Sequence, residues 1–98
     1  MTEPKVVSKF KMGQLVATPG ALAAAEKAGE DLFPYVRRHL RGDWGDVDVS
    51  DKKANDAALS PLEPARLLSA YHLKNGTKIW IITEWDRSVT TVLLPEEY

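Results

Sequence analysis

The dipeptide Asn75-Gly76 sits between two strand-like runs, Arg66–Leu73 and Lys78–Glu84, and constrains this chain more than any other feature. Asn-Gly is the strongest short-range hairpin signal, because both central residues of a type I′ turn take positive φ. A two-residue turn there predicts a register in which Lys74 faces Thr77, His72 faces Ile79, Tyr71 faces Trp80 and Ala70 faces Ile81. A third run, Val89–Leu94, follows the loop Trp85-Asp86-Arg87-Ser88. With four residues in that loop, Thr83 pairs with Thr90 and Ile81 with Val92. One sheet face then carries Leu68, Ala70, Ile79, Ile81, Val92 and Leu94, and is expected to meet helices. The other carries Tyr71, Trp80, Ile82, Thr91 and Leu93. It is apolar for a solvated face, so the N-terminal strand region, a long loop or a second copy of the chain is expected to cover it.

The segment ahead of the hairpin reads as helical. Thr18 and Pro19 form a start signal, hydroxyl cap then proline at the first helical position. Alanine-rich residues 21–28 carry little helix cost, and Gly29 is the stop. A second helix is expected from near Asp31. It has Phe33, Val36 and Leu40 at helical spacing, Arg37, Arg38 and Arg41 toward water, and Gly42 as its end. Gly42-Asp43-Trp44-Gly45-Asp46 reads as a compact turn. A third helix is expected over Ser50–Leu59, with Ala54, Ala57 and Ala58 as its small apolar face. Upstream, Phe10–Ala17 is strand-like although Gly13 and Gln14 weaken it. Residues 1–9 read as a loose tail. The expected order is β-α-α-α-β-β-β in a single small α+β domain over residues 10–98.

Composition narrows the chemistry. The 98 residues contain no cysteine, which removes disulfides, thiolate metal sites and cysteine nucleophiles. With 13 Lys+Arg against 14 Asp+Glu the formal charge is −1, which argues against a nucleic-acid binder that depends on a basic surface. No apolar run approaches the roughly 18–20 residues of a membrane span, and the polar start lacks a secretion signal, so a cytoplasmic protein is expected.

His39 and Asp43 stand four apart and could share one metal, but two ligands are not a site. The preferred reading of His39 is a cation near a helix C-terminus. Asp43, Asp46, Asp48 and Asp51 do not follow a calcium-loop spacing and read as turn and cap residues. No metal or cofactor is implied. His72 reads as a partly buried structural histidine. The binding candidates are Trp85, Asp86 and Arg87 in the β-hairpin loop, and Trp44 as a core cover or an exposed anchor. Phosphate-loop, nucleophile-elbow, zinc-helix and dinucleotide signatures are all absent. Glu96 and Glu97 read as a tail.

Taken together, Phe10-Lys11-Met12-Gly13, Val16-Ala17-Thr18-Pro19-Gly20-Ala21-Leu22, Gly42-Asp43-Trp44-Gly45-Asp46, Leu67-Leu68-Ser69-Ala70-Tyr71, Ile81-Ile82-Thr83-Glu84, Asp86-Arg87-Ser88 and Leu93–Tyr98 resemble a family of small bacterial proteins. Members of that family are often carried on plasmids and integrated elements. Some bear labels such as plasmid-related protein or a link to type I restriction–modification. The resemblance spans nearly the whole chain and implies a mobile-element setting without an activity. A likeness of architecture alone, helices followed by an antiparallel meander, extends to ribonuclease toxins of the RelE and barnase–colicin kind. On that alternative His72, Arg87 and Thr90 would be the catalytic groups of a metal-independent ribonuclease. The leading expectation is a small non-enzymatic accessory protein that binds another protein or itself, with nucleic acid disfavoured.

Overall fold

A computed structural model describes residues 8–98. It contains a strand β1 (Gln14–Ala17), helices α1 (Pro19–Ala28), α2 (Phe33–Leu40) and α3 (Val49–Ala58), and strands β2 (Leu67–His72), β3 (Lys78–Thr83) and β4 (Val89–Leu93). A 3-10 turn, Pro95–Glu97, follows. The fold is α+β. Most of the expected tail lies outside the described residues, but Lys9 is not loose: its N–H donates to the Leu40 carbonyl at 2.8 Å.

Local signals set the helix ends. The Thr18 hydroxyl accepts from the Ala21 N–H at 3.1 Å, Pro19 opens α1, and Gly29 closes it at φ 67°. α2 starts at Phe33, whose N–H donates to the Asp31 carboxylate at 3.0 Å. In α3 the buried face is Asn55 and Ala58, while Ala54 and Ala57 are exposed. The expected all-alanine face is therefore wrong, and the reason lies in what α3 packs against.

The four strands form one sheet in the order β1-β4-β3-β2, antiparallel except that β1 runs parallel to β4. β1 is shorter than the expected Phe10–Ala17 strand. Its place beside β4 also means that it extends the sheet instead of covering a face. The β3–β4 register is the expected one, with Ile81 opposite Val92 and Thr83 opposite Thr90. The β2–β3 register differs by one residue: Tyr71 faces Ile79, Ala70 faces Trp80 and Leu68 faces Ile82. The cause is the turn. Asn75 keeps negative φ and only Gly76 is left-handed, at φ 88°. The Gly76 N–H returns to the Leu73 carbonyl at 2.8 Å, and Leu73 N–H reaches the Thr77 carbonyl at 2.8 Å. This is a three-residue loop with glycine in its last position, the other common hairpin closure.

A one-residue slip exchanges the two faces of a strand. Leu67, Ser69, Tyr71 and Leu73 accordingly point toward the helices, in place of Leu68 and Ala70. The main core joins Ala21, Val36, Leu40, Tyr71, Leu73, Ile79, Ile81 and Val92. A smaller cluster joins Trp44, Ala58 and Leu67. On the far face the C-terminus folds back. The 3-10 turn packs on β3, and the Tyr98 ring meets Trp80 at 5.8 Å between centroids. Glu97 is no tail residue either: its carboxylate accepts from the Thr18 hydroxyl at 2.6 Å and from the Leu94 N–H at 2.8 Å.

Candidate functional site

His39 is wholly buried under the sheet, between the rings of Phe10 and Trp44. Its Nδ1 lies 2.5 Å from the Ser69 hydroxyl and its Nε2 2.9 Å from the Thr83 hydroxyl. Thr83 in turn lies 2.7 Å from the Thr90 hydroxyl, which donates to the Met12 carbonyl at 2.7 Å. That carbonyl can only accept, so it sets the direction of the chain. Thr90 donates to Met12 and accepts from Thr83. Thr83 therefore accepts from His39 Nε2–H, and Ser69 donates to Nδ1. The ring is neutral, with its proton on Nε2. Burial, helped by the positive field of Arg87, pushes its pKa down to about 3. This overturns the reading of His39 as a cation and leaves neither nitrogen for a metal. The Ser69–His39 pair has the connectivity of a nucleophile and base, yet both residues and Thr83 and Thr90 are sealed from solvent. The chain of hydroxyls is a structural device.

Arg87 holds the left-handed step of the β3–β4 turn at φ 60°. Its guanidinium donates to the carbonyls of Ala65 (2.7 Å), Glu84 (3.1 Å) and Ala58 (2.7 Å), and lies over the Phe10 ring. It ties α3 and the 60–65 loop to the sheet. Asp86 does not pair with it. The Asp86 carboxylate accepts from the Ser88 N–H and hydroxyl, an Asx turn that holds its pKa below the usual carboxylate range. Trp85 is 61% exposed. Trp44 is the reverse, 4% exposed with its indole N–H on Asp56 at 3.0 Å, so it covers the core and is not an exposed anchor.

His72 is exposed. It lines an open cleft of about 300 Å³ with Arg38, Gly45, Asp46, Ala70 and Tyr71, its Nδ1 3.7 Å from the Asp46 carboxylate. It sits at the Lys78 end of β3, whereas Thr90 pairs with Thr83 at the opposite end. Five residues of strand, about 17 Å, separate the two ends. His72, Arg87 and Thr90 do not meet in one cleft.

The two sheet edges are treated very differently. On β2, the outward N–H and C=O of Leu68 are both taken by the Asn55 side-chain amide, at 3.1 and 2.8 Å. Those of Ala70 are taken by the Trp44 carbonyl and the Asp46 N–H, at 3.1 and 2.7 Å. Beyond them Tyr35 donates its hydroxyl proton to Glu30 at 2.6 Å, and Glu30 accepts from Lys74 N–H at the end of the strand. The edge is closed at Leu68 and Ala70, the middle of the strand. On β1, Gln14 N–H and Thr18 N–H bond to Ser88 and Val92 of the β4 side. Leu15 and Ala17, on the alternate parity, turn their N–H and C=O outward, with no partner among the described residues.

An apolar groove of about 240 Å³ runs beside this open edge, walled by β1, Leu22, Leu32 and Phe33. Leu22 is 55% exposed, Phe33 47% and Val16 37%. Phe33 thus departs from the expected core stripe, while Val36 and Leu40 remain in it. The sequence signal for this site was faint: an unpaired leucine in the first turn of α1 and a short uncharged strand. Comparisons of the chain with protein-family models, with curated proteins and with solved structures give no match. Among the described residues no helix is long and apolar enough to cross a membrane.

Proposed function

We propose that this chain is a small, non-enzymatic accessory protein that acts by protein–protein association, using the open β1 edge and the apolar groove beside it. The observation that carries this reading is the asymmetry of the sheet. The outward groups of Leu68 and Ala70 on β2 are all satisfied, while those of Leu15 and Ala17 on β1 have no partner among the described residues and lie next to exposed Leu22 and Phe33. Unpaired strand edges recruit further strands, and apolar pockets beside them read alternate side chains. The residue blocks that resemble small bacterial proteins carried on plasmids and integrated elements support a setting in the service of a mobile element, and a cytoplasmic location is part of the same proposal. The ribonuclease alternative draws less support, since Arg87 is committed to three carbonyls and Thr90 is sealed.

The test is quantitative capture of proteins by the tagged full-length chain, against the same chain carrying Leu22→Asp and Phe33→Asp. Retention that the double variant loses, with its far-UV spectrum unchanged, supports the reading. Equal retention by both chains removes it, and so does retention by neither when light scattering gives the chain alone a monomer mass.

A further inference from the structure

We propose that the occupant of the β1 edge is a second copy of this chain, β1 pairing antiparallel with β1 of the copy about a two-fold axis at Val16. This rests on the association reading above and names its partner.

The strand is its own complement. Leu15 and Ala17 are the two residues with outward N–H and C=O groups, and they stand two apart. An antiparallel two-fold about Val16 sets Leu15 opposite Ala17 of the copy, and Ala17 opposite Leu15. Each such pair exchanges both of its hydrogen bonds. Val16 then meets Val16 in the close, non-hydrogen-bonded position, and Gln14 meets Thr18. The charge pattern permits it. Among all residues 28% are charged, yet Gln14–Thr18 holds no charged side chain, so no like charges are juxtaposed across the axis. The lysines, prolines and bulges with which edge strands ward off pairing are absent from β1 itself.

The closed β2 edge sets the size of the assembly. With one edge free per chain, pairing ends at two copies in a continuous eight-stranded sheet and cannot propagate. The neighbouring apolar groove adds exposed Leu22 and Phe33 to what the copy can bury.

The absence of cysteine makes the test clean. In a non-hydrogen-bonded antiparallel pair the Cα atoms stand about 4.5 Å apart, within disulfide reach. Val16→Cys should therefore give a covalent dimer with oxidised glutathione at micromolar protein, whereas Leu62→Cys, at an 89% exposed site away from the strand, should not. Light scattering on the unmodified chain should give twice the 10.9 kDa mass, falling toward one chain mass on dilution. Val16→Lys, which sets two cations on the axis and alters only a surface position, should give the monomer mass with an unchanged far-UV spectrum. A monomer at every concentration overturns the proposal. So does a dimer that Val16→Lys leaves intact, or equal cross-linking from both cysteine positions. Where the chain is monomeric, capture lost with Leu22→Asp and Phe33→Asp keeps the broader association reading alive without this one.

Discussion

Lowering the pH from 7 to 5 should destabilise this fold through His39. The ring is neutral in the folded state, with a pKa of about 3 against an ordinary 6.5. Below pH 6.5 the unfolded chain takes up a proton that the folded chain refuses, so stability is full above 6.5 and is lost as pH falls. The gap corresponds to about 5 kcal/mol once pH reaches the lower value, and to about 2 kcal/mol between pH 7 and 5. A small domain has roughly 5–15 kcal/mol in all, so the loss is large. The carboxylates held low by hydrogen bonds, Glu30, Asp43, Asp86 and Glu97, lose their contributions only below the ordinary carboxylate range, outside this window. Urea unfolding at the two pH values is the assay. With a slope of about 1 kcal/mol per molar, the midpoint should fall by about 2 M. Nitrogen-15 NMR of the imidazole should show a neutral ring protonated at Nε2 at pH 5, the tautomer fixed by the Met12 carbonyl. A midpoint that does not move, or a His39 signal that titrates near 6.5 in the folded protein, refutes the reasoning.

Other perturbations probe separate parts of the argument. Asn55→Ala strips both backbone groups of Leu68 of their partners and should cost about 2–4 kcal/mol in chemical denaturation, one desolvation penalty for each group. Gly45→Ala should prevent folding or nearly so, because a Cβ at φ 72° would strike the Ala70 carbonyl and lie 2.7 Å from the Tyr71 ring. Gly29→Ala, left-handed but with open space around it, should cost only about 1 kcal/mol in thermal unfolding. Glu97→Gln should lower the melting temperature at neutral pH, and the difference should shrink as acid protonates the carboxylate, which its hydrogen bonds delay to below the ordinary glutamate range.

How much was legible beforehand varies with the range of the interaction. The ends of α1 were readable because Thr18, Pro19 and Gly29 act on their own turn. The β3–β4 pairing was readable because four loop residues leave little freedom. The hairpin was readable and its register was not. Asn75-Gly76 permits two closures, and the choice falls to whichever sets β2 side chains into the core; Tyr71 and Leu67 inside, with Ala70 against the Gly45 backbone, wins. Asn55 looked like one polar residue in an alanine-rich helix. Its role appears only when α3 lies along β2 and the edge needs an amide. Arg87 read as a binding candidate because its three carbonyl partners come from residues 58, 65 and 84 and no local pattern announces them.

The sequence by itself determined the inventory of this protein: a single α+β arrangement, helices before a meander, stops and starts at Gly29, Pro19 and the Asn75-Gly76 turn, and no thiol chemistry. Those follow from backbone preferences that act within a few residues. The tertiary structure alone decided that His39 is neutral and sealed, that Trp44 is core, and that one sheet edge is closed while the other stands open. Each of these depends on which distant groups meet. Solvation and hydrogen-bond satisfaction are set by those meetings, not by local conformation.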